Sequence, residues 1–208
     1  FLAETGRAIH LARLARALFV AIFLRRRWMP DQNVKKPAGA GADKALDLAA
    51  RTLVQERLRC VRRVTKRKLD LDDIVLRPTP PPARRHLFEE ARELYWNELN
   101  WEQLTDEELH EDGELTEMVF PGLLTLMDAL LPTGHNGEPD RDREHRDVAH
   151  DFVMWLARRI LELRSSKPED EGDRKRLLRE ERITDDLLDL VAYRLYCLTD
   201  AEMEGLQA

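Results

Sequence analysis

The segment from Lys44 to Lys68 has an apolar side and a basic side, and both repeat with the spacing of an α-helix. Its apolar side chains recur every three or four positions, at Leu46, Ala50, Leu53, Val54, Leu58, Val61 and Val64. Because a helix turns once in about 3.6 residues, these side chains fall on one side of it. We therefore predict a long amphipathic helix that begins after an N-cap at Asp43 and ends near Leu69.

The rest of the chain is also patterned for helices rather than strands. No segment alternates polar and apolar residues over the length of a strand. Charged residues make up 36% of the chain and only 9 residues are glycine, which is typical of long helices with solvent-facing sides. The sequence predicts an all-α, bundle-like protein of about seven or eight helices. The other helical patterns lie within Ala8–Leu24, Arg84–Asn100, Leu123–Leu131, Asp147–Leu163 and Arg174–Leu206. Local chemistry also predicts three helix starts: Pro121 in a first turn, and capping boxes that begin at Thr105 and Thr199.

A Pro-rich segment, Leu76–Ala83, interrupts these patterns with the sequence LRPTPPPA. Proline disrupts helices and favours an extended spacer, so we expect Pro78, Pro80, Pro81 and Pro82 to be extended. The charge changes sign close by: residues 1–85 contain 20 Lys and Arg against 8 Asp and Glu, whereas residues 86–208 contain 14 against 32. We predict a basic helical subdomain at 1–76, a linker at 77–83 and an acidic helical subdomain at 84–208.

The last turns of the predicted amphipathic helix in Lys44–Lys68 place five cations on one face: Arg59, Arg62, Arg63, Lys66 and Arg67. Such side chains repel one another unless an anionic surface lies alongside. Nucleic-acid phosphates fit this role because arginine grips two oxygens at once and each contact releases counterions. The alternative is that the acidic half of the chain, or the nearby aspartates 70, 72 and 73, neutralises the face within the fold.

Two acid–histidine pairs at helical spacing raise the question of a metal site. Glu107-x-x-His110 and Asp147-x-x-His150 resemble the pairs in helical di-iron proteins, and His150-Asp151 matches the dipeptide of the HD phosphohydrolases. With 40 acidic residues and 6 histidines, chance matches are expected. We therefore predict no metal and no cofactor at these positions.

No motif for nucleophilic or nucleotide chemistry is present, and we predict a non-enzymatic protein. The sequence contains neither Gly-x-Ser-x-Gly nor a Walker loop. Cys60 and Cys197 have no CxxC partner, which is typical of a reducing cytoplasm. The apolar Ala8–Leu24 stretch contains Arg13 and Arg16, so we predict a buried helix there in preference to a membrane contact.

The aromatic residues Tyr95, Trp96 and Trp101 lie close together in the acidic half. Aromatic side chains stack on bases in single-strand binders, but acidic surroundings repel phosphates. We therefore predict that these three pack between helices.

The stretch ITDDLLDLVAYRLYCLTDAEME, Ile183–Glu204, resembles the C-terminal tail of Eco57I-type restriction-modification and phage-defence methyltransferases. The preceding Met154–Leu178 resembles the helix and loop before such tails. The chain departs from the pattern at Ala192, which is inserted, and at Cys197, where the family usually has glycine. In that family the tail is structural, so the resemblance implies a helical piece of a DNA-directed system and transfers no catalytic residue. The matching residues are Leu188, Asp189, Leu190, Val191, Tyr193, Leu195, Tyr196, Leu198 and Thr199.

These patterns leave three hypotheses for function. The first is a non-enzymatic accessory subunit of a DNA-acting complex, in which the five cations contact the nucleic-acid backbone. The second is a helical interaction subunit whose basic face docks on an acidic protein surface without nucleic-acid contact. The third is a metal-dependent enzyme built on the His110 and His150 pairs.

Overall fold

The computed structural model describes residues 40–66, 78–99, 119–134, 139–140, 142–199 and 201–202, with side chains from residue 43 onward. Over these ranges the one β-type pairing is an isolated bridge between Thr133 and Pro139, so the predicted all-α class is confirmed. Five helices contain most of the described residues: α1 (Ala40–Thr65), α2 (Pro81–Glu98), α3 (Pro121–Leu130), α4 (Arg146–Ser165) and α5 (Glu171–Leu195).

Helix α4 is the centre of the bundle, because α1, α2, α3 and α5 all pack against it. Its apolar residues Val148, Phe152, Leu156 and Ile160 recur every four positions, and all four are fully buried. A stripe of this width is what a helix needs in order to bury its surface against several neighbours. The apolar residues of all five helices join in one core.

Contacts between side chains give the directions of the helices. Arg159, late in α4, donates to Glu180 in the first half of α5. Arg146, the first residue of α4, approaches the sulfur of Cys197, just beyond the end of α5. Helices α4 and α5 are therefore antiparallel.

Helix α1 runs antiparallel to α4. Arg158, late in α4, forms an ion pair with Asp47 near the start of α1, with 2.9 Å between Nη1 and Oδ1. Arg57, further along α1, binds Asp185 and Asp189 of α5, which lie on the side towards the start of α4. The last turn of α1 consequently lies at the end of the bundle where α4 begins.

The start of α2 lies at that same end. The backbone N–H of Thr79 donates to Asp147 Oδ2 over 2.9 Å, and its hydroxyl donates to Oδ1 over 2.6 Å. Asp147 belongs to the first turn of α4. Later in α2, the ring of Tyr95 lies 4.9 Å from that of Trp155, so α2 and α4 run parallel.

The expectation that all four prolines of the linker are extended was wrong for two of them. Pro81 and Pro82 form the first turn of α2. The first residues of a helix have no intrahelical use for their N–H groups, so proline fits there without losing a hydrogen bond. Residues 81–83 of the predicted linker thus belong to the helix, while Pro80 keeps an extended backbone with ψ of 135°.

The division into residues 1–76, 77–83 and 84–208 stays a prediction. The described part of the first region, α1, contributes Leu53, Val54 and Leu58 to the same core as the helices of the third region. Thr79 of the predicted linker donates a hydrogen bond to Asp147 of α4.

The predicted bounds of the first helix need correction. Asp43 is not its N-cap, because α1 already begins at Ala40 and Asp43 lies in the first turn. The helix ends at Thr65, not near Leu69. Lys66 has a φ of 58°, a left-handed conformation that stops a helix.

Two predicted helix starts are confirmed. Pro121 occupies the first turn of α3. Thr199 and Glu202 exchange the bonds of a capping box, in which Thr199 N donates to Glu202 Oε2 over 2.8 Å and Glu202 N donates to Thr199 Oγ1 over 3.3 Å.

The predicted Ala8–Leu24 helix and the capping box at Thr105 lie outside the described residues. Among the helices that are described, none combines the length and the apolarity of a transmembrane segment.

Candidate functional site

The predicted basic face lies at the end of α1, and four of its five cations are described. Arg59 forms an ion pair with Glu56, one turn earlier on the same helix. Arg62 is partly exposed, and Arg63 and Lys66 are exposed. Arg67 lies outside the described residues.

Three of these cations have no acidic partner among the residues that the structure describes. Arg62 Nε donates to the carbonyl oxygen of Leu58 over 3.3 Å, and Lys66 Nζ donates to that of Arg63 over 2.7 Å. No described carboxylate lies within 4 Å of the cationic groups of Arg62, Arg63 or Lys66. We call these three residues the basic end of α1.

A local role explains part of this arrangement. Cations near the carboxyl end of a helix interact favourably with its unpaired carbonyl groups, by about 0.3–1 kcal/mol each. The bonds from Arg62 Nε and Lys66 Nζ to carbonyl oxygens fit this role. The guanidinium of Arg63 makes no such bond within the described ranges, so the local role does not explain its position.

Arg57, one turn before the basic end, is held very differently. Its side chain is 16% exposed and donates to both Asp185 and Asp189 of α5. Burial alone lowers the pKa of Arg57, but the two carboxylates more than offset this and raise its pKa overall. The arginine therefore remains charged and connects α1 to α5.

The two aspartates that bind Arg57 belong to a cluster of three on α5. Asp186 lies between its two partners in the sequence, and burial together with the negative charges of Asp185 and Asp189 raises the pKa of Asp186 to about 7. Arg57 thus meets three aspartates of α5, one of which, Asp185, also lies 3.7 Å from Nη2 of Arg164 in α4.

The Asp147-x-x-His150 pair and the His150-Asp151 dipeptide serve the packing of α2. Asp147 is 2% exposed and accepts both bonds from Thr79. Asp151 accepts two bonds from Arg84. Burial raises the pKa of Asp151, but hydrogen bonds with His150 and Arg84 lower it overall. Across the described residues, no three His, Cys, Asp or Glu side chains converge as metal ligands do. Glu107 and His110 lie outside these residues.

The predicted packing role of the aromatic residues is confirmed for Tyr95. Its ring is fully buried and stacks on Phe120, with 5.4 Å between the ring centroids. Trp96 is 45% exposed, and the guanidinium of Arg159 lies 4.9 Å from its ring centroid. Trp101 lies outside the described residues.

An open groove beside the start of α2 was not predicted from the sequence. It encloses about 470 Å³ and is lined by Pro78, Thr79, Pro80, Pro81, Arg84, Arg85, Phe88 and Asp151. The pair of arginines that follows the prolines after Ala83 was the one available signal in the sequence. The groove itself depends on Asp151, which is distant in the sequence.

No family model, curated protein sequence or solved structure matches this chain. What the protein binds must therefore be inferred from its own charges and contacts.

Proposed function

We propose that this protein is a non-enzymatic helical module that contacts the phosphate backbone of nucleic acid through the basic end of α1. The observation that carries the proposal is the absence of described acidic partners for Arg62, Arg63 and Lys66. The chain is rich in carboxylates, and arginines such as Arg57, Arg84 and Arg159 each bind at least one. Cations left exposed in so acidic a protein are available to an anion from outside.

Phosphate is the anion that this arrangement suits best. Arg62 and Arg63 lie in the last turn of α1 and Lys66 follows its end, so three cations are close together in the chain, and a nucleic-acid strand presents a row of phosphates. Contacts of this kind are largely independent of base sequence. If all three cations contact phosphates of a duplex, affinity should fall roughly 40-fold between about 50 and 200 mM salt.

The biological setting that we propose is an accessory subunit of a DNA-acting complex, such as a restriction-modification or phage-defence system. The resemblance of Ile183–Glu204 to methyltransferase tails supports this setting. The residues that carry the resemblance include Leu188, Val191 and Leu195, which are buried in α5. Their burial suits a structural role and supplies no catalytic group.

The direct test is binding of a fluorescent oligonucleotide, measured by anisotropy at two salt concentrations. Reversing two charges with Arg62→Glu and Arg63→Glu should weaken binding at least tenfold at low salt. The matched control is Arg174→Glu with Lys175→Glu, which changes the net charge equally at the start of α5, the opposite end of the bundle. The control should bind like the wild type. Equal loss in both double variants, or binding that salt does not affect, would refute the proposal.

One observation favours the second hypothesis, docking on an acidic protein. Val64 lies between the cations of the basic end and is 39% exposed. An apolar side chain adds to a protein interface but gains nothing from phosphate. Val64→Ser should therefore leave oligonucleotide binding unchanged if the partner is nucleic acid. If the partner is a protein, the same variant should reduce its co-purification.

A further inference from the structure

The groove beside the start of α2 and the basic end of α1 lie at the same end of the bundle. Thr79, which lines the groove, is fastened to Asp147 in the first turn of α4. The antiparallel course of α1 brings its last turn to this end as well, as the contacts of Arg158 and Arg57 show. A single extended ligand could therefore contact both.

Two arginines line the groove, and only Arg84 is paired with a carboxylate among the described residues. Arg84 grips Asp151 with Nε at 2.6 Å and Nη2 at 2.7 Å, so this pair is close to neutral. Arg85, the next residue, is exposed, and within the described ranges no carboxylate forms an ion pair with it. Its charge is available to an anionic group at the mouth of the groove.

The wall of the groove is apolar and stiff. Pro78, Pro80 and Pro81 have φ angles fixed by their rings. Phe88 is partly buried and packs against the core, and the guanidinium of Arg92 lies 5.8 Å from its ring centroid. An aromatic ring beside proline rings offers a flat group a surface to stack on.

We propose that this groove receives a base of a single-stranded nucleic acid, whose phosphates lie on Arg85 and on the basic end of α1. The inference rests on the proposed function and specifies its ligand. Single-strand binders combine cations that follow the backbone with aromatic side chains that stack on bases. A duplex keeps its bases stacked inside and would gain nothing from the groove, so the preferred ligand is single-stranded.

The test compares three probes of equal length: oligodeoxythymidylate, an abasic oligomer with the same phosphates, and a duplex. The wild type should bind oligodeoxythymidylate about tenfold more tightly than the abasic oligomer, because one stacked base adds affinity of this size. Phe88→Ala should remove this preference and leave the affinity for the abasic oligomer unchanged. Arg85→Glu should weaken binding to both single-stranded probes, whereas Lys175→Glu, with the same charge change on α5, should not.

Circular dichroism checks that each variant is folded. If Phe88→Ala is unfolded, Phe88→Leu replaces it, since Leu fills the core but provides no aromatic face. Equal affinity of the wild type for the thymidylate and abasic probes, or a preference that survives the loss of the ring, overturns this inference. In that case the proposed function stands provided that Arg62→Glu with Arg63→Glu still weakens binding. No binding to any probe at low salt overturns both.

Discussion

The middle and the end of α1 contain the same kind of side chain in opposite circumstances. Arg57 is largely buried and held by two aspartates of α5. Arg62 and Arg63, little more than one turn later, face solvent without an acidic partner among the described residues. The difference arises from what packs opposite each turn, not from the residue type. A charge that the fold matches is part of the structure, whereas an exposed charge that it leaves unmatched is available for binding.

The largest effect is expected at Arg57, in the middle of α1. Arg57→Ala should lower the free energy of unfolding by about 3 kcal/mol, because it leaves Asp185 and Asp189 partly buried without their cation. Urea denaturation monitored by circular dichroism measures this. Arg59→Ala is the control, since its ion pair with Glu56 is exposed and should contribute less than about 0.5 kcal/mol. Equal losses in the two variants would contradict the distinction between the two parts of α1.

The cluster of aspartates beside Arg57 predicts that the stability of the fold depends on pH. The pKa of Asp186 is raised to about 7 in the folded protein, above its unfolded value of about 3.9, so the folded state binds a proton more tightly. This carboxyl therefore adds stability at low pH, and the contribution is lost as pH rises through 7. The free energy of unfolding should increase from pH 8 to pH 5, by at most about 1.4 kcal/mol per pH unit.

Asp186→Asn isolates this contribution from that of other titrating groups. The variant should be more stable than the wild type at pH 8 and should show a weaker pH dependence. The comparison requires urea titrations of both proteins at several pH values. A pH profile identical to that of the wild type would show that Asp186 is not the group responsible.

Glu98 is a second charge that the fold pairs, and a substitution beside it should have an intermediate effect on stability. Its carboxylate accepts bonds from the N–H groups of Gly122 and Leu123 and so caps α3. A Cβ atom on Gly122 would collide with Glu98 Oε1. Gly122→Ala should therefore displace the cap and lower stability by about 1 kcal/mol.

The double-mutant cycle with Glu98→Ala separates the lost cap from the intrinsic effect of alanine. In the Glu98→Ala background, Gly122→Ala should be neutral or slightly stabilising, since alanine favours helix over glycine. A similar loss in both backgrounds would mean that Glu98 is not the group that requires glycine there.

The smallest effect on stability is expected at the basic end. Arg62→Ala and Arg63→Ala should each lower the free energy of unfolding by about 1 kcal/mol at most, because neither has an ion-pair partner among the described residues and only the interaction with the helix carbonyl groups is lost. The measurement is again urea denaturation. A loss of 2 kcal/mol or more would place these residues among the structural charges.

Periodicity in the sequence predicts most of the helical architecture. The apolar spacing locates both ends of α4 and the start of α5 to within a few residues, and Pro121 and Thr199 mark helix starts by local chemistry. The prolines at 81 and 82 were assigned wrongly because proline is compatible with both an extended spacer and a first helical turn. In the structure both lie in the first turn of α2, directly after the segment in which Thr79 binds Asp147.

The charges of the candidate site were less predictable. The five cations of the basic face were visible as a pattern, and the i,i+3 pairing of Arg59 with Glu56 could have been inferred from it. The pairing of Arg57 with two aspartates of α5 could not be inferred from the sequence, because these partners lie 128 and 132 residues away. The groove at Arg85 and Phe88 likewise exists only because α4 brings Asp151 against α2.

The central claim is that the basic end of α1 contacts phosphates. The most direct measurement is the salt dependence of oligonucleotide affinity, compared between the wild type and the Arg62→Ala, Arg63→Ala double variant. The slope of log K against log salt should become shallower by about two in the variant, one for each lost contact. An unchanged slope, or a wild type that does not bind at low salt, would contradict the claim.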